Sequence, residues 1–229
     1  MNSRRELAVS VQPGVTTTAL VYPAPSGRIG AALILAHGAG AGQLSPFMVD
    51  FARGLSALGL DVATFNFLYT EHRRRIPDRA PMLEACYRAV IDALAQELDS
   101  GRQFLFIGGK SMGGRIATQI AAADSSLKVS GIVLLGYPLH RPGRPTERRD
   151  AHLAAISRPV LFVQGSRDAF GTPGELEPTA RKLPRPTALH IVDGGDHSFK
   201  LPGHDRARQA AAYYDAQRSV VEWVKEVMR

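Results

Sequence analysis

The chain has 229 residues, a length that suits one α/β domain with a large core and is too short for two comfortable domains. Hydrophobic residues make up 45% of it and charged residues 21%, an ordinary globular composition that argues against extensive disorder. The formal net charge of +7 is compatible with an acidic partner, but the basic residues lack the regular aromatic interleaving of a groove for single-stranded nucleic acid. We therefore expect a single domain, residues 1–229, that binds no nucleic acid.

The first residues and the cysteine content bear on the compartment of the protein. The segment MNSRRELAVSVQPGV holds two arginines but no apolar stretch after them, and the most apolar short run, Ala31–Ala36, is too short to span a bilayer. The single cysteine, Cys86, lies in a helical pattern and can form no internal disulfide, so we expect a small buried thiol. These observations predict a cytoplasmic protein without a membrane partner.

Short apolar runs alternate with helical patterns along the chain. Seven runs have the composition of largely buried strands: 17–22, 31–36, 61–65, 103–107, 131–135, 160–164 and 188–192. Five segments have helical patterns: 46–58, 82–98, 112–123, 174–182 and 207–227. The repeated strand–helix–strand order predicts a mostly parallel sheet. The turn-rich linker PAPSGRIG predicts a hairpin between the first two of these strands, and hence an antiparallel amino-terminal edge.

The segment LFIGGKSMGG has two interpretations. It contains G-K-S, the end of a phosphate-binding loop, but the first glycine of that loop would fall on Phe104, inside a predicted strand, where no phosphate cradle can form. It also has the form G-x-S-x-G of a nucleophile elbow, which places Ser111 on a tight turn between a strand and a helix. Gly109 and Gly113 flank the serine where the two arms cross closely, and a side chain at either position would collide with the other arm. The context favours a nucleophilic serine.

A serine nucleophile needs a base to accept its proton and an acid to orient that base. In this architecture the chain order is serine, then an acid, then histidine, with the last two on loops after later strands. Asp168 follows the strand at 160–164 and His197 follows the strand at 188–192, so both are expected at the edge of the sheet where Ser111 lies. Asp193 and Asp196, in the His197 loop, are alternatives to Asp168, although chain order and strand position favour Asp168.

The loop HGAGAG follows the strand at 31–36 and can supply backbone donors for the oxyanion of a tetrahedral intermediate. We expect the N–H groups of Ala39 and Met112 to be these donors. His37 is expected to brace the loop by hydrogen bonding rather than to act as a base. His190 lies inside a predicted strand, and four further histidines lie in polar surroundings that predict exposure: His72, His140, His152 and His204.

Four motifs, HGAGAG, GGKSMGGR, VQGSRDAFG and GGDHSFK, together resemble the α/β-hydrolase superfamily and its small KANL/Tex-type branch, near the dienelactone-hydrolase-like proteins. The resemblance runs from about Ala31 through His197, and VVEWVKEV resembles the closing helix. It implies the three-layer α/β-hydrolase fold, a triad of Ser111, Asp168 and His197, and no metal or organic cofactor. Dienelactone hydrolases proper carry cysteine as the nucleophile, so their chemistry is not transferred to Ser111. Related domains include scaffold components, which leaves a non-catalytic binding or scaffold protein as the alternative.

The segment after the strand at 131–135 is where lids are usually inserted in this fold. Only residues 137–157 separate that strand from the next, so we expect a minimal cap and an open cleft. The substrate is expected to be small or to present an accessible ester, thioester or related acyl bond. Lys110 is expected to point away from the substrate and to hold neighbouring loops. The resulting prediction is a serine hydrolase of the carboxylesterase type that works through an acyl-enzyme, with no indication of its oligomeric state.

Several arginines fall near the expected cleft, in the segment after residue 136 and after an earlier strand: Arg73, Arg74, Arg75, Arg141, Arg144, Arg148 and Arg149. A basic rim would favour an anionic acyl substrate. Solvated surface charge is the simpler interpretation of the same residues.

Overall fold

Eight strands form one sheet in the computed structural model, which describes residues 4–98 and 104–229. In chain order they are β1 (Arg5–Gln12), β2 (Val15–Tyr22), β3 (Ala31–Ala36), β4 (Asp61–Phe65), β5 (Phe104–Lys110), β6 (Gly131–Leu135), β7 (Val160–Gly165) and β8 (Ala188–Val192). Their spatial order is β1-β2-β4-β3-β5-β6-β7-β8. Pairs that involve β1 or β2 are antiparallel and the remaining pairs are parallel, so the predicted mostly parallel sheet with an antiparallel edge is confirmed.

Helices cover both faces of this sheet and complete a three-layer structure. In chain order they are α1 (Pro46–Ala57), α2 (Leu68–Glu71), α3 (Ala80–Leu98), α4 (Met112–Ala123), α5 (Pro173–Ala180) and α6 (Arg206–Val227), with a short 3-10 helix at Ala151–Ala155. On one face, α3 and α4 bury Tyr87 and Ile116 in a shared core with the strands. On the other face, α1 and α6 bury Phe51 and Trp223. The central strands β3 to β7 are buried throughout apart from the first two residues of β5, as parallel strands covered on both faces must be.

The antiparallel edge does not arise from the predicted hairpin, which was wrong. Residues 23–30 connect β2 to β3, but β2 pairs with β4, and β4 separates it from β3. The hairpin in the structure joins β1 to β2 at Pro13 and Gly14, where Gly14 adopts a φ of 74°. The sequence reading missed β1 because most residues of this outermost strand are exposed, and its sequence lacks the apolar run that marks the central strands.

Two further strand features position the site. β5 runs through Gly108 and Gly109 to Lys110, three residues beyond the predicted end; the predicted first residue of that strand, Gln103, lies outside the described residues. At the opposite edge from β1, β8 pairs with β7 alone and is only partly buried, with Ile191 half exposed. The carboxyl ends of β3, β5, β7 and β8 all lie at the same edge of the parallel sheet, where ligand sites form in α/β proteins.

The remaining predictions concern the cysteine and the membrane. Cys86 is buried in α3, as expected, and burial raises the pKa of its thiol to about 12. Across residues 4–98 and 104–229, no helix combines the length and hydropathy that a membrane crossing requires.

Candidate active site

Ser111 occupies the turn between β5 and α4 in a conformation that side-chain-bearing residues rarely adopt. Its φ is 52° and its ψ is −116°, and its N–H donates to the carbonyl of Leu135 at 3.1 Å. A backbone of this kind costs about 1–3 kcal/mol and needs support from its surroundings. The supporting contact is the end of β3: a Cβ on either Gly109 or Gly113 would lie 2.4 Å from the carbonyl oxygen of Ala36. The two glycines therefore allow β3 to pack directly against the turn.

The structure brings Ser111, His197 and Asp168 into one hydrogen-bonded chain. His197 Nε2 lies 2.8 Å from Ser111 Oγ, and His197 Nδ1 lies 2.8 Å from Asp168 Oδ2. An ionised carboxylate can only accept hydrogen bonds, so the proton of the neutral imidazole belongs on Nδ1. Nε2 is then left as an acceptor that faces the serine hydroxyl.

Asp168 is held in place by donors that sequence reasoning did not single out. The carboxylate is 1% exposed; its Oδ1 accepts from the N–H of Phe170 at 2.8 Å, and its Oδ2 accepts from Nε2 of Gln164 at 2.7 Å. Gln164 is itself fully buried and accepts from the N–H of Tyr137 at 2.7 Å. This glutamine couples the loop after β6 to the acid, and a polar residue inside a predicted buried strand was the signal that could have identified it.

His197 is fixed on two sides. The ring of Phe170 stacks on the imidazole with centroids 4.2 Å apart and an interplanar angle of 29°. Nζ of Lys110 donates to the carbonyl oxygen of His197 at 2.5 Å, so Lys110 holds a neighbouring loop as expected. Lys110 is also one of the residues that line the cavity beside Ser111. Burial lowers the pKa of Lys110 to about 8, and the carboxylates of Asp168 and Asp196 only partly oppose this shift.

The loop after β3 lies beside the serine and is braced by His37. This residue is fully buried; its Nε2 accepts from the N–H of Phe67 at 3.1 Å, and its Nδ1 lies 2.8 Å from the carbonyl oxygen of Gly38. Burial lowers the pKa of His37 to about 4, so the ring is neutral near pH 7. The expected bracing role of His37 is therefore confirmed. A Cβ on Gly38 would lie 3.5 Å from the Cβ of Ser111, which shows how closely this loop approaches the turn.

The two predicted oxyanion donors line the same cavity as Ser111. Met112 is the first residue of α4, a position whose N–H has no partner within the helix. Among the described residues, neither the Ala39 nor the Met112 amide donates a hydrogen bond to another protein group. Both amides remain available to a bound oxygen.

Comparison with known proteins agrees with this fold. A family model for the alpha/beta hydrolase domain matches residues 30–225. The chain belongs to the α/β-hydrolase family. A serine hydrolase without a lid from Xanthomonas campestris superposes with a TM-score of 0.75 at 19% identity, covering 97% of this chain and 96% of that one. A dienelactone hydrolase from Anabaena variabilis superposes with a TM-score of 0.71 at 22% identity, covering 96% and 97%. An α/β serine hydrolase homologue from Coxiella burnetii gives 0.74 at 16% identity, covering 96% and 99%.

The two alternative acids of this α/β-hydrolase lie elsewhere. Asp196 Oδ1 accepts from the N–H groups of Ser198 at 2.7 Å and Lys200 at 2.9 Å, so this residue shapes the His197 loop. Asp193 Oδ1 lies 3.4 Å from Ser166 Oγ. Of the three acids, Asp168 is the one that contacts the imidazole of His197.

The remaining histidines do not contact Ser111 through an observed hydrogen bond, and two of the four that were expected to be exposed, His140 and His152, are not. His140 was expected to be exposed but is buried, because the loop after β6 folds onto α5 and its Nε2 lies 3.1 Å from Glu175 Oε1. His152 is half-buried, with Nε2 2.8 Å from Thr118 Oγ1. His72 and His204 are exposed, and His190 is half-buried in β8. In the described part of the chain, no group of three or more His, Cys, Asp or Glu side chains could hold a metal ion.

A cavity of about 1090 Å³ opens in front of Ser111 and His197. Residues 137–157 form turns and the short 3-10 helix beside it, in agreement with a minimal cap. Of the arginines predicted to rim the cleft, Arg141 and Arg149 line the cavity. Arg144 and Arg148 are paired with Glu147 and Asp150 respectively. Arg115, one turn beyond Ser111 in α4, also lines the cavity and was missed, although its spacing from the serine places both on one side of the helix.

Proposed function

We propose that this α/β-hydrolase cleaves an ester, thioester or similar acyl bond through a covalent acyl-serine intermediate, and that Ser111, His197 and Asp168 are its catalytic residues. The observation that carries the proposal is the chain of two 2.8 Å contacts from the serine hydroxyl to the buried carboxylate. Serine hydrolases of similar fold, one of them described as lacking a lid, support it.

The proposed reaction begins with attack of Ser111 Oγ on the acyl carbon while His197 Nε2 accepts the hydroxyl proton. Asp168 keeps the imidazole in the required tautomer and stabilises the positive charge that develops on it. The negative charge on the substrate oxygen would be stabilised by the N–H groups of Ala39 and Met112, and losing one such donor costs about 100-fold to 1000-fold in rate.

Collapse of the intermediate transfers the proton from His197 to the leaving group and leaves the acyl group on Ser111. Water, activated by the same imidazole, then releases the acid and restores the serine. The imidazole is therefore neutral when it accepts a proton in each attack and protonated when it returns that proton in each collapse. The open cleft favours small substrates of the carboxylesterase type, because no large cap encloses a long chain.

Labelling with a fluorophosphonate, followed by mass spectrometry of the modified peptide, tests the proposed nucleophile. We expect labelling of Ser111 in the wild type, none in Ser111→Ala, and a large loss in His197→Ala. Ser45→Ala is the matched control, because Ser45 lines the same cavity but contacts neither His197 nor Asp168 through an observed hydrogen bond.

Turnover is measured in parallel with neutral p-nitrophenyl esters and thioesters. If Ser111→Ala loses both labelling and turnover, the result supports the proposed hydrolase function. A folded wild type that neither reacts with the probe nor cleaves any ester would contradict the proposal and favour the binding or scaffold alternative.

A further inference from the structure

Three arginines line the cavity in front of Ser111, and none of them forms an ion pair with an acid among the described residues. We propose that Arg115, Arg141 and Arg149 form an anion-binding end of the cleft, and that the substrate carries a carboxylate or similar oxyanion in addition to its scissile acyl bond. This inference rests on the proposed function, because it concerns the substrate of the same site.

The first support is the pattern of ion pairs. Within residues 4–98 and 104–229, none of the three guanidinium groups forms a salt bridge, whereas Arg144, from the same loop as Arg141 and Arg149, pairs with Glu147 at 2.8 Å. The acids of this loop, Glu147 and Asp150, form their ion pairs with Arg144 and Arg148, which do not line the cavity, and not with Arg141 or Arg149, which do. Guanidinium groups are strong bidentate donors to carboxylates and phosphates, so an oxyanion is the ligand they fit.

The second support is that the charges of Arg115 and Arg141 lie close enough to Arg149 to act on it. Burial and the nearby charges of Arg115 and Arg141 lower the pKa of Arg149, against the opposing effects of Tyr137 and Glu147. Such mutual repulsion destabilises the unliganded protein and is relieved when an anion enters.

The third support is that the backbone of each arginine is fixed. The N–H of Arg149 donates to the carbonyl of Leu139 at 2.7 Å, and its carbonyl accepts from the hydroxyl of Tyr137 at 2.7 Å. The carbonyl of Arg141 lies 2.9 Å from Nδ1 of the buried His140. Arg115 lies in α4, where its N–H donates to the carbonyl of Ser111 at 3.0 Å. The donors are thus attached to a rigid frame, which reduces the entropy lost on binding.

The acidic residues of the cavity do not neutralise this end. Asp78 pairs with Arg74 at 2.7 Å, an arginine that does not line the cavity. Asp50 lies on α1 and is exposed. Two lysines also line the cavity and add positive charge to it: Lys110 and Lys200.

The test compares two p-nitrophenyl esters of equal acyl length, the hexanoate and the monoester of adipic acid, after subtraction of uncatalysed hydrolysis. We expect the wild type to prefer the adipate in kcat/KM by about tenfold or more at low salt, and the preference to decrease at high salt because ions screen the attraction. Arg115→Gln and Arg149→Gln should each lower the ratio of adipate to hexanoate by about tenfold, the effect of losing one charge-assisted hydrogen bond.

Arg144→Gln is the matched control, since it removes the same charge from the same loop without altering the cavity wall. For Arg144→Gln, the ratio of adipate to hexanoate kcat/KM should stay within about twofold of the wild-type ratio. An equal drop in Arg144→Gln would show that the net charge of +7 merely attracts anions and would overturn the site, as would equal kcat/KM for both esters in the wild type.

A phosphonate-ended ester of the same length distinguishes the kinds of oxyanion. A preference for either anionic ester over the hexanoate, lost in Arg115→Gln, supports the site and identifies which group it takes. Failure of this inference is distinct from failure of the proposed function: in the first case the hexanoate is cleaved and the fluorophosphonate labels Ser111, and in the second neither reaction occurs.

Discussion

Nζ of Lys110 lies 2.5 Å from the carbonyl oxygen of His197, so the residue that precedes the proposed nucleophile supports the backbone of the proposed base. The two residues are 87 positions apart, and the contact joins the end of β5 to the loop that follows β8. Lys110 is 7% exposed, so this contact places a positive charge inside the protein. Its position makes Lys110 a positioning residue for His197.

We expect Lys110→Met to lower kcat about tenfold with a smaller change in KM. A hydrogen bond from a charged group contributes about 1.5–3 kcal/mol, and only part of this free energy serves to position the imidazole of His197. In the wild type, kcat should fall as the pH rises through the Lys110 pKa of about 8, since the neutral amine is the weaker donor. Lys110→Met should lack this decrease, and the exposed control Lys128→Met should keep it. Profiles with a neutral ester between about pH 7 and 9.5 provide the test; a flat wild-type profile would contradict it.

His37 should make the fold sensitive to mild acid. Its pKa is lowered from 6.5 to about 4, so between these values the unfolded chain binds a proton that the folded protein does not. Stability from this group is complete above about pH 6.5 and decreases as the pH falls toward 4, by about 1.4 kcal/mol per pH unit. Urea unfolding at about pH 6.5 and 5 should show a loss of about 2 kcal/mol that His37→Gln reduces. The exposed control His204→Gln should retain the full loss, and an unchanged loss in His37→Gln would count against this assignment.

Gly113 should tolerate no side chain. A Cβ there would lie 2.4 Å from the carbonyl oxygen of Ala36 and 2.7 Å from that of His37, both of them backbone atoms. We expect Gly113→Ala to lower the free energy of unfolding by about 3 kcal/mol through overpacking. Gly174→Ala is the control, because a Cβ there meets nothing within 4 Å, and it should be neutral or stabilising by about 0.5 kcal/mol. Chemical denaturation of the two variants measures both effects, and equal stabilities would rule out the contact.

Gln164 should contribute both to stability and to turnover. In Gln164→Leu, the N–H of Tyr137 and one oxygen of Asp168 lose a buried partner. We expect a loss of about 2–3 kcal/mol in unfolding free energy and about tenfold in kcat, since each unsatisfied buried group costs about 1–3 kcal/mol. Gln119→Leu is the control, because Oε1 of Gln119 is buried and has no hydrogen-bond partner among the described residues. Wild-type kcat in a folded Gln164→Leu variant would refute the coupling.

The sequence predicted the elements whose apolar runs are long and continuous. The central strands and the elbow glycines were found because burial on both faces and close packing leave a local signature. The outer strand β1 was missed because it needs few apolar residues, and the burial of His140 depends on its contact with Glu175, which is distant in sequence. Gln164 and Phe170 were missed for the same reason, since their relation to His197 exists only after folding. The cytoplasmic location and a single domain stay predictions.

The proposed base, His197, follows the edge strand β8, whereas the proposed nucleophile, Ser111, follows the central strand β5. β8 has one neighbour and leaves Ile191 50% exposed, while β5 lies between β3 and β6. Edge strands fray at free energies below that of global unfolding. On warming, local unfolding of β8 should therefore displace His197 from Ser111 and abolish the proposed activity while the rest of the sheet stays folded. Amide exchange in β8 should accelerate at a lower temperature than exchange in β5.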